Sequence, residues 1–331
     1  MKRIAFLVSG GDAPGINACL AGIATTAEHR GLQALAVPNG FDGLIDGHFE
    51  EISVPWLRTA SYGGSPIPTA RSARFRQVDS QRLAVEQLRQ RGIEGLIVLG
   101  GDGSAHAAMA LVELGVPSVC VPVTIDNDLW GTDYTLGFDT GVQQIRDILL
   151  DIQETANAYR GRVFFVETLG GPAGHLALAG GLAGGADLIL VPELRPTPQA
   201  VAERVKALLD SGRDRVIIAG CEGLFETYRP GDQGIAFVFG KEIERVTGVR
   251  TRVTVMGYFM RGSAPTAFDS LLGQMMGARA AQLLCDGHAN RVVVFRNNCV
   301  DSLDITTVVD KHKPLHPDQL ALARLRGCLV P

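Results

Sequence analysis

Residues 95–108 read GLIVLGGDGSAHAA. Leu96 to Leu99 form an uninterrupted apolar run, Gly100, Gly101 and Asp102 follow, and a helical pattern opens at Gly103–Ser104. A continuous apolar strand is what burial on both faces of a parallel sheet demands, because helices cover both sides. The glycines suit a tight turn from strand to helix. The stretch therefore reads as one strand–turn–helix unit, with an acid at the mouth of the helix.

That unit recurs along the chain. Strands are expected at RIAFLVSG (3–10), LQALAVPN (32–39), SVCVPVT (118–124), VFFVETLG (163–170), LILVPE (188–193), RVIIAGCEG (215–223), TRVTVMG (251–257) and RVVVFRN (291–297), besides the opening one. Helical patterns lie between them, as in DSQRLAVEQLRQRG (79–92) and TPQAVAERVKALLDSG (197–212), the second with prolines at its start and Gly212 at its stop. Strand–helix alternation over the whole length predicts an α/β protein with doubly wound, mostly parallel sheets. A length of 331 residues suggests about two domains. With no low-complexity tether or repeat, these are expected to interleave, with the active cleft between them at the carboxyl ends of the strands.

The bulk numbers exclude several classes. Hydrophobic content of 46% beside 20% charged residues belongs to a globular chain with a large core. A net charge of -4 argues against nucleic acid held by a bulk basic field. The six cysteines contain no CxxC pair, which predicts reduced thiols in a cytoplasmic protein. MKRIAFLV is too short in its apolar run for a signal peptide, and HLALAGGLAGGADLILVP (175–192) reads as helix, turn and strand rather than a membrane span.

Three strand ends carry chemistry. SGGDAPGINA (9–18) supplies Gly10, Gly11 and Asp12 before a helix, and LGGDGSAHAA (99–108) repeats the arrangement with Asp102. Amides at a helix amino terminus, backed by the helix dipole, form an anion site. An aspartate beside a phosphate would repel it unless a cation intervenes, so magnesium at Asp102 is expected. PVTIDND (122–128) offers Thr124, Asp126 and Asp128 at alternate positions; an extended chain would put all three on one face. Neither a GxxxxGK[ST] loop nor a GxGxxG fingerprint is present. Arg71 and Arg74 in PTARSARF (68–75), and Arg250, Arg252 and Arg261 around the 251–257 strand, suit phosphate. Glu222 either caps the next segment or accepts from sugar hydroxyls. The residues together predict magnesium-assisted phosphoryl transfer to a phosphorylated hydroxyl compound, with Asp126 as the proton acceptor.

GGDAPGINA, GGDGS, TIDND, GTDYTLGFDTG, VPE and TRVTVMGYFMRGSAPTAFD, in this order, resemble the 6-phosphofructokinase family. The resemblance runs from Met1 to about Asn298 and is looser in the tail. It implies a donor of ATP with Mg2+ and fructose 6-phosphate as acceptor. Asp126 would take the sugar 1-hydroxyl proton, Thr124 and Asp128 would flank the transferred phosphate, and Asp102 would hold magnesium. Gly11, Arg71, Ser72, Gly103 and Ser104 would line the nucleotide phosphates. Arg162, Arg261 and Tyr258 would meet the sugar phosphate, with Leu169, Gly170 and Glu222 on the sugar and Arg252 lent to a neighbouring subunit. A homotetramer, or at least a dimer, follows from that sharing. The implied division is residues 1–137 plus 253–304 for nucleotide and magnesium, and 138–252 plus 305–331 for the sugar phosphate.

The sequence also departs from the family's pattern. Gly103 matches ATP users, whereas pyrophosphate users carry Asp there; Val123 matches neither group. Gly171 replaces an arginine, Tyr258 a histidine, and Ser263–Ala264 the usual Gly-Ser. Ala21, Thr25 and Glu154 stand where effector-binding arginines are usual, so regulation by ADP or phosphoenolpyruvate is expected to be weak. The alternatives are a pyrophosphate-dependent enzyme, a kinase of a related ketose phosphate, and a non-catalytic sugar-phosphate sensor, which would have no use for a proton acceptor.

Overall fold

The computed structural model describes residues 1–51, 60–228 and 233–330. Its strands are β1 (Arg3–Val8), β2 (Gln33–Val37), β3 (Glu50–Glu51), β4 (Gly95–Gly100), β5 (Ser118–Pro122), β6 (Arg162–Thr168), β7 (Leu188–Leu190), β8 (Arg215–Cys221), β9 (Thr251–Val255), β10 (Arg291–Arg296) and β11 (Cys299–Asp304). The helices are α1 (Ile16–His29), α2 (Gly40–Asp46), α3 (Val78–Gln90), α4 (Asp102–Glu113), α5 (Phe138–Ala158), α6 (His175–Ala183), α7 (Pro198–Asp210), α8 (Phe225–Tyr228), α9 (Ile235–Thr247), α10 (Ala267–Cys285) and α11 (Pro317–Leu325). All nine expected strands form. β3 and β11 were not anticipated.

The chain divides into two compact units, Met1–Thr140 with Arg261–Lys313, and Gly141–Met260 with Pro314–Pro331. The crossing expected at 252/253 lies at 260/261 instead. The reason is β9, which pairs in parallel along β6 and so belongs to the second unit's sheet. Residues 305–313 likewise stay with the first unit rather than the second.

The first unit holds a seven-stranded sheet ordered β11-β10-β5-β4-β1-β2-β3. β10–β11 and β2–β3 are antiparallel; the rest run parallel. Strand order turns back between β1 and β4, since β2 and β3 lie on one side of β1 and the later strands on the other. In a doubly wound sheet a crevice opens outside the carboxyl ends at such a reversal. The inner strands β1, β4, β5 and β10 are buried along most of their length, as their composition requires, and α1 packs on α10 so closely that a Cβ at Gly22 or Gly277 would meet the opposite helix's backbone.

The second unit has a parallel four-stranded sheet ordered β7-β8-β6-β9. Its core gathers Phe165, Ile218, Val201, Val205 and Phe239 from the sheet, α7 and α9. α7 begins with Pro198 in its first turn and is capped by Thr197, whose hydroxyl accepts from the Ala200 amide at 3.1 Å. Residues 234–242, which superficially suggest a phosphate loop, are the cap residue Gly234 and the first eight residues of the ordinary helix α9. No helix among the described residues is long and apolar enough to cross a membrane, and no disulfide joins the cysteines.

Candidate active site

β1, β4 and β5 end side by side in the first unit, and each delivers one of the three chemical stretches. After β1 comes the Gly10–Gly11 turn. Gly10 adopts φ 95, a conformation glycine reaches at no steric cost. After β4, Gly101 precedes α4, whose first intrahelical donors are the amides of Ser104 and Ala105, both bonded to the Gly101 carbonyl. The amides before them face out of the helix end. After β5 comes the Thr124–Asp128 loop.

That loop is not the extended chain anticipated. β5 stops at Pro122, Ile125 and Asp126 turn, and Asn127 takes a left-handed φ of 55. The alternation survives by another route. Val123, Ile125 and Asn127 are buried, while Thr124, Asp126 and Asp128 are half-buried and line one cavity. The Asp126 amide donates to the Thr124 hydroxyl at 3.2 Å, which closes the turn.

The cavity measures about 680 Å³ and is lined by residues of the first unit alone. It brings together Gly11, Arg71, Ser72, Asp102, Gly103, Ser104, Thr124, Asp126, Asp128 and Arg261. Two of these carry prior commitments. The Ser72 hydroxyl donates to Asp42 at 2.6 Å and accepts the Phe75 amide at 3.1 Å, so it shapes the loop. The Ser104 hydroxyl donates to the Ser9 carbonyl at 3.3 Å and ties α4 to the end of β1. Arg261 donates to the Asp12 carbonyl at 3.2 Å and lies against Gly11 so closely that any Cβ there would meet its guanidinium. Gly103 lines the cavity, and a Cβ there would meet nothing within 4 Å.

The cavity also has a wall that sequence reasoning missed. Phe41 and Phe75 stack with ring centroids 4.3 Å apart and line it beside Gln81, His106 and Ala107. An aromatic and amide wall next to an anion cradle suits a nucleoside base. His106 was findable, because it stands four residues after Asp102 and so shares its helix face. Its ring bonds the Asp102 carbonyl at 3.0 Å and Asp310 at 2.8 Å. Burial works against the imidazolium, but the two acids outweigh it and leave the pKa above its ordinary value.

Burial pushes the Asp128 carboxyl up, and the nearby Asp102 charge pushes it further, while Lys313 and His312 pull the other way. Two carboxylates facing one cavity are relieved by a divalent ion. No trio of acidic, histidine or cysteine ligands converges among the described residues. The carboxylates of Asp102 and Asp128 in one cavity are compatible with magnesium, which takes one or two carboxylates and otherwise water and phosphate oxygens.

The second unit contains a cavity of about 580 Å³ at the carboxyl ends of β6 and β8. Glu167, Gly171 and Glu222 line it. Glu222 accepts from the Gly171 amide at 3.1 Å, and Gly171 sits at φ 55, a conformation that strains an arginine. Burial first, and then the Glu222 charge, push the Glu167 carboxyl up, although the Ala236 amide bonds it at 2.8 Å. Leu169 and Gly170 follow β6 at the same end, and Tyr258, 86% exposed, lies in the turn after β9. Arg162 and Arg252 are elsewhere. Arg162 opens β6, and Arg252 pairs opposite Phe164, so both stand at the amino ends, separated from Glu222 by roughly 20 Å of strand.

Comparisons with known proteins identify the family. The family model for phosphofructokinase matches residues 3–284. The chain is 39% identical to an ATP-dependent 6-phosphofructokinase of Halothermothrix orenii over 98% of this chain and 99% of the relative. It is 41% identical to one of Oceanobacillus iheyensis over 90% and 91%. Among solved structures, a phosphofructokinase of Pichia pastoris superposes with TM-score 0.83 at 27% identity, covering 98% of this chain and 36% of that longer one. A pyrophosphate-dependent phosphofructokinase of Marinobacter aquaeolei gives TM-score 0.85 at 22% identity over 96% and 86%, a likeness of fold alone. The chain belongs to the phosphofructokinase family.

Proposed function

We propose that the protein transfers the γ-phosphoryl group of ATP to the 1-hydroxyl of fructose 6-phosphate, giving fructose 1,6-bisphosphate and ADP. The observation that carries the reading is the convergence of the Gly11 turn, the α4 amino end and the Thr124–Asp128 loop on one cavity with an aromatic wall. Asp126 accepts the hydroxyl proton as the oxygen attacks phosphorus and the bond to the departing ADP oxygen breaks. Thr124 and Asp128 flank the transferred group. Arg71 and the amides at Gly11 and Gly103 balance charge on the nucleotide phosphates, and Arg261 on the sugar phosphate. Asp102 would hold magnesium, which would supply positive charge to neutralise the phosphates.

On this reading Glu222, Leu169, Gly170 and Tyr258 bind the sugar from the second unit. Arg162 and Arg252 share the opposite end of that sheet, so both serve the sugar phosphate of a neighbouring subunit in a dimer or tetramer. Cysteines outside any disulfide fit a cytoplasmic setting. Replacing Asp126 by Asn is the test. Turnover with ATP and fructose 6-phosphate should fall ~10²–10⁴-fold with KM values nearly kept. An Asp126→Asn enzyme with near-normal turnover would refute the assignment.

A further inference from the structure

Residues 310–313 read DKHK and lie outside the segment that the family model matches. In the structure they run beside the catalytic loop. His312 bridges Leu129 in antiparallel fashion, and Lys313 turns inward. Its ammonium donates to the Asn127 side-chain carbonyl at 2.8 Å and to the Asp133 backbone carbonyl at 2.8 Å. We infer that Lys313 is a positioning residue for phosphoryl transfer, clamping the left-handed turn at Asn127 that aims Asp126 and Asp128 into the nucleotide cavity.

Asn127 explains why a clamp is needed. It is 4% exposed, stands between the two acids, and holds a backbone conformation that most residues avoid. Asparagine enters this conformation more readily than most residues, and side-chain bonds fix it there. Here the Asn127 side chain is bonded on three sides: Oδ1 accepts from the Thr135 amide at 2.9 Å and from Lys313, and Nδ2 donates to the Asp133 carbonyl at 3.2 Å. Lys313 is the only one of these partners that arrives from a distant part of the sequence. It also places positive charge near Asp128, which feels the like charge of Asp102 across the cavity. The same short segment reaches the other candidate magnesium acid, since Asp310 bonds His106 on the first turns of α4. A tail segment thus braces both acid-bearing turns.

The inference rests on Asp126 being the base, and its test separates the two claims. Lys313→Ala and Lys313→Met, in the full chain, are assayed with magnesium, ATP and fructose 6-phosphate, alongside Asp126→Asn. Loss of the clamp should lower kcat ~100-fold, the cost of a small misplacement of reacting groups, with both KM values within about threefold. Propylammonium added to Lys313→Ala should restore turnover saturably, which a purely structural role would not show. Lys313→Met keeps the aliphatic stem and so reports on the charge even where the alanine variant folds poorly. Turnover within about threefold of wild type in Lys313→Met, or a loss in Lys313→Ala that tracks its melting temperature and ignores propylammonium, overturns the inference. An inactive Asp126→Asn enzyme beside a fully active Lys313→Met refutes the clamp alone; an active Asp126→Asn refutes the base assignment beneath it.

Discussion

Gly103→Asp changes one position on the nucleotide side and nothing else. A Cβ there meets no heavy atom within 4 Å, and residue 103 lies in the first turn of α4. An acid in a first helical turn interacts favourably with the helix dipole, so folding should be unharmed. The carboxylate instead projects into the cavity beside Asp102 and cancels part of the anion site. At on the order of 6 Å from a bound phosphate, and an effective dielectric of about 20 to 40, one added charge costs about 1.5–3 kcal/mol. That corresponds to roughly a 10- to 150-fold loss in kcat/KM for ATP. Steady-state kinetics with ATP varied at saturating fructose 6-phosphate, paired with a thermal melt, measures it. An Asp variant that melts normally and keeps kcat/KM for ATP within about threefold would refute the placement of the nucleotide phosphates at the α4 amino end.

Two further outcomes follow from the packing and the sheet ends. Arg162→Ala and Asp126→Asn should each be inactive alone, yet mixed and reassembled they should recover up to roughly a quarter of wild-type activity, because symmetric pairing rebuilds one intact site per mixed pair; no recovery on mixing argues that Arg162 does not cross to a neighbour. Asp269 is fully buried, accepts from the Gly137 and Thr140 amides and the Thr140 hydroxyl, and burial raises its pKa to about 6. Its stabilising contribution is therefore complete below the unfolded value near 4 and is lost as pH rises through about 6, by at most about 3 kcal/mol. Urea unfolding of wild type should weaken over that window relative to Asp269→Asn, and parallel pH profiles would contradict it.

The fold was legible wherever local chemistry and global architecture agreed. Continuous apolar runs closed by glycine and acid predicted the parallel strands and their helices, and the TIDND acids reached one cavity even though a turn, not an extended strand, carries them there. β11 escaped because its strand CVDSLD is half polar at a sheet edge, yet Asn297–Asn298 supplied the signal: both take positive φ in a two-residue hairpin loop, with Arg296 opposite Cys299. The domain crossing was misplaced because the motif spanning 251–269 reads as one block, while β9 is claimed by the second sheet and Arg261 by the first unit. Phe41 and Lys313 carry no local mark of their roles. Each reaches the site from an element distant in sequence, and only tertiary structure brings a phenylalanine to a second ring or a tail lysine to Asn127.

The central claim is the reaction itself. The purified protein, assayed with magnesium and fructose 6-phosphate against ATP and against pyrophosphate, should form fructose 1,6-bisphosphate with ATP and none above background with pyrophosphate. Silence with ATP at every fructose 6-phosphate concentration, or turnover with pyrophosphate in its place, would contradict it.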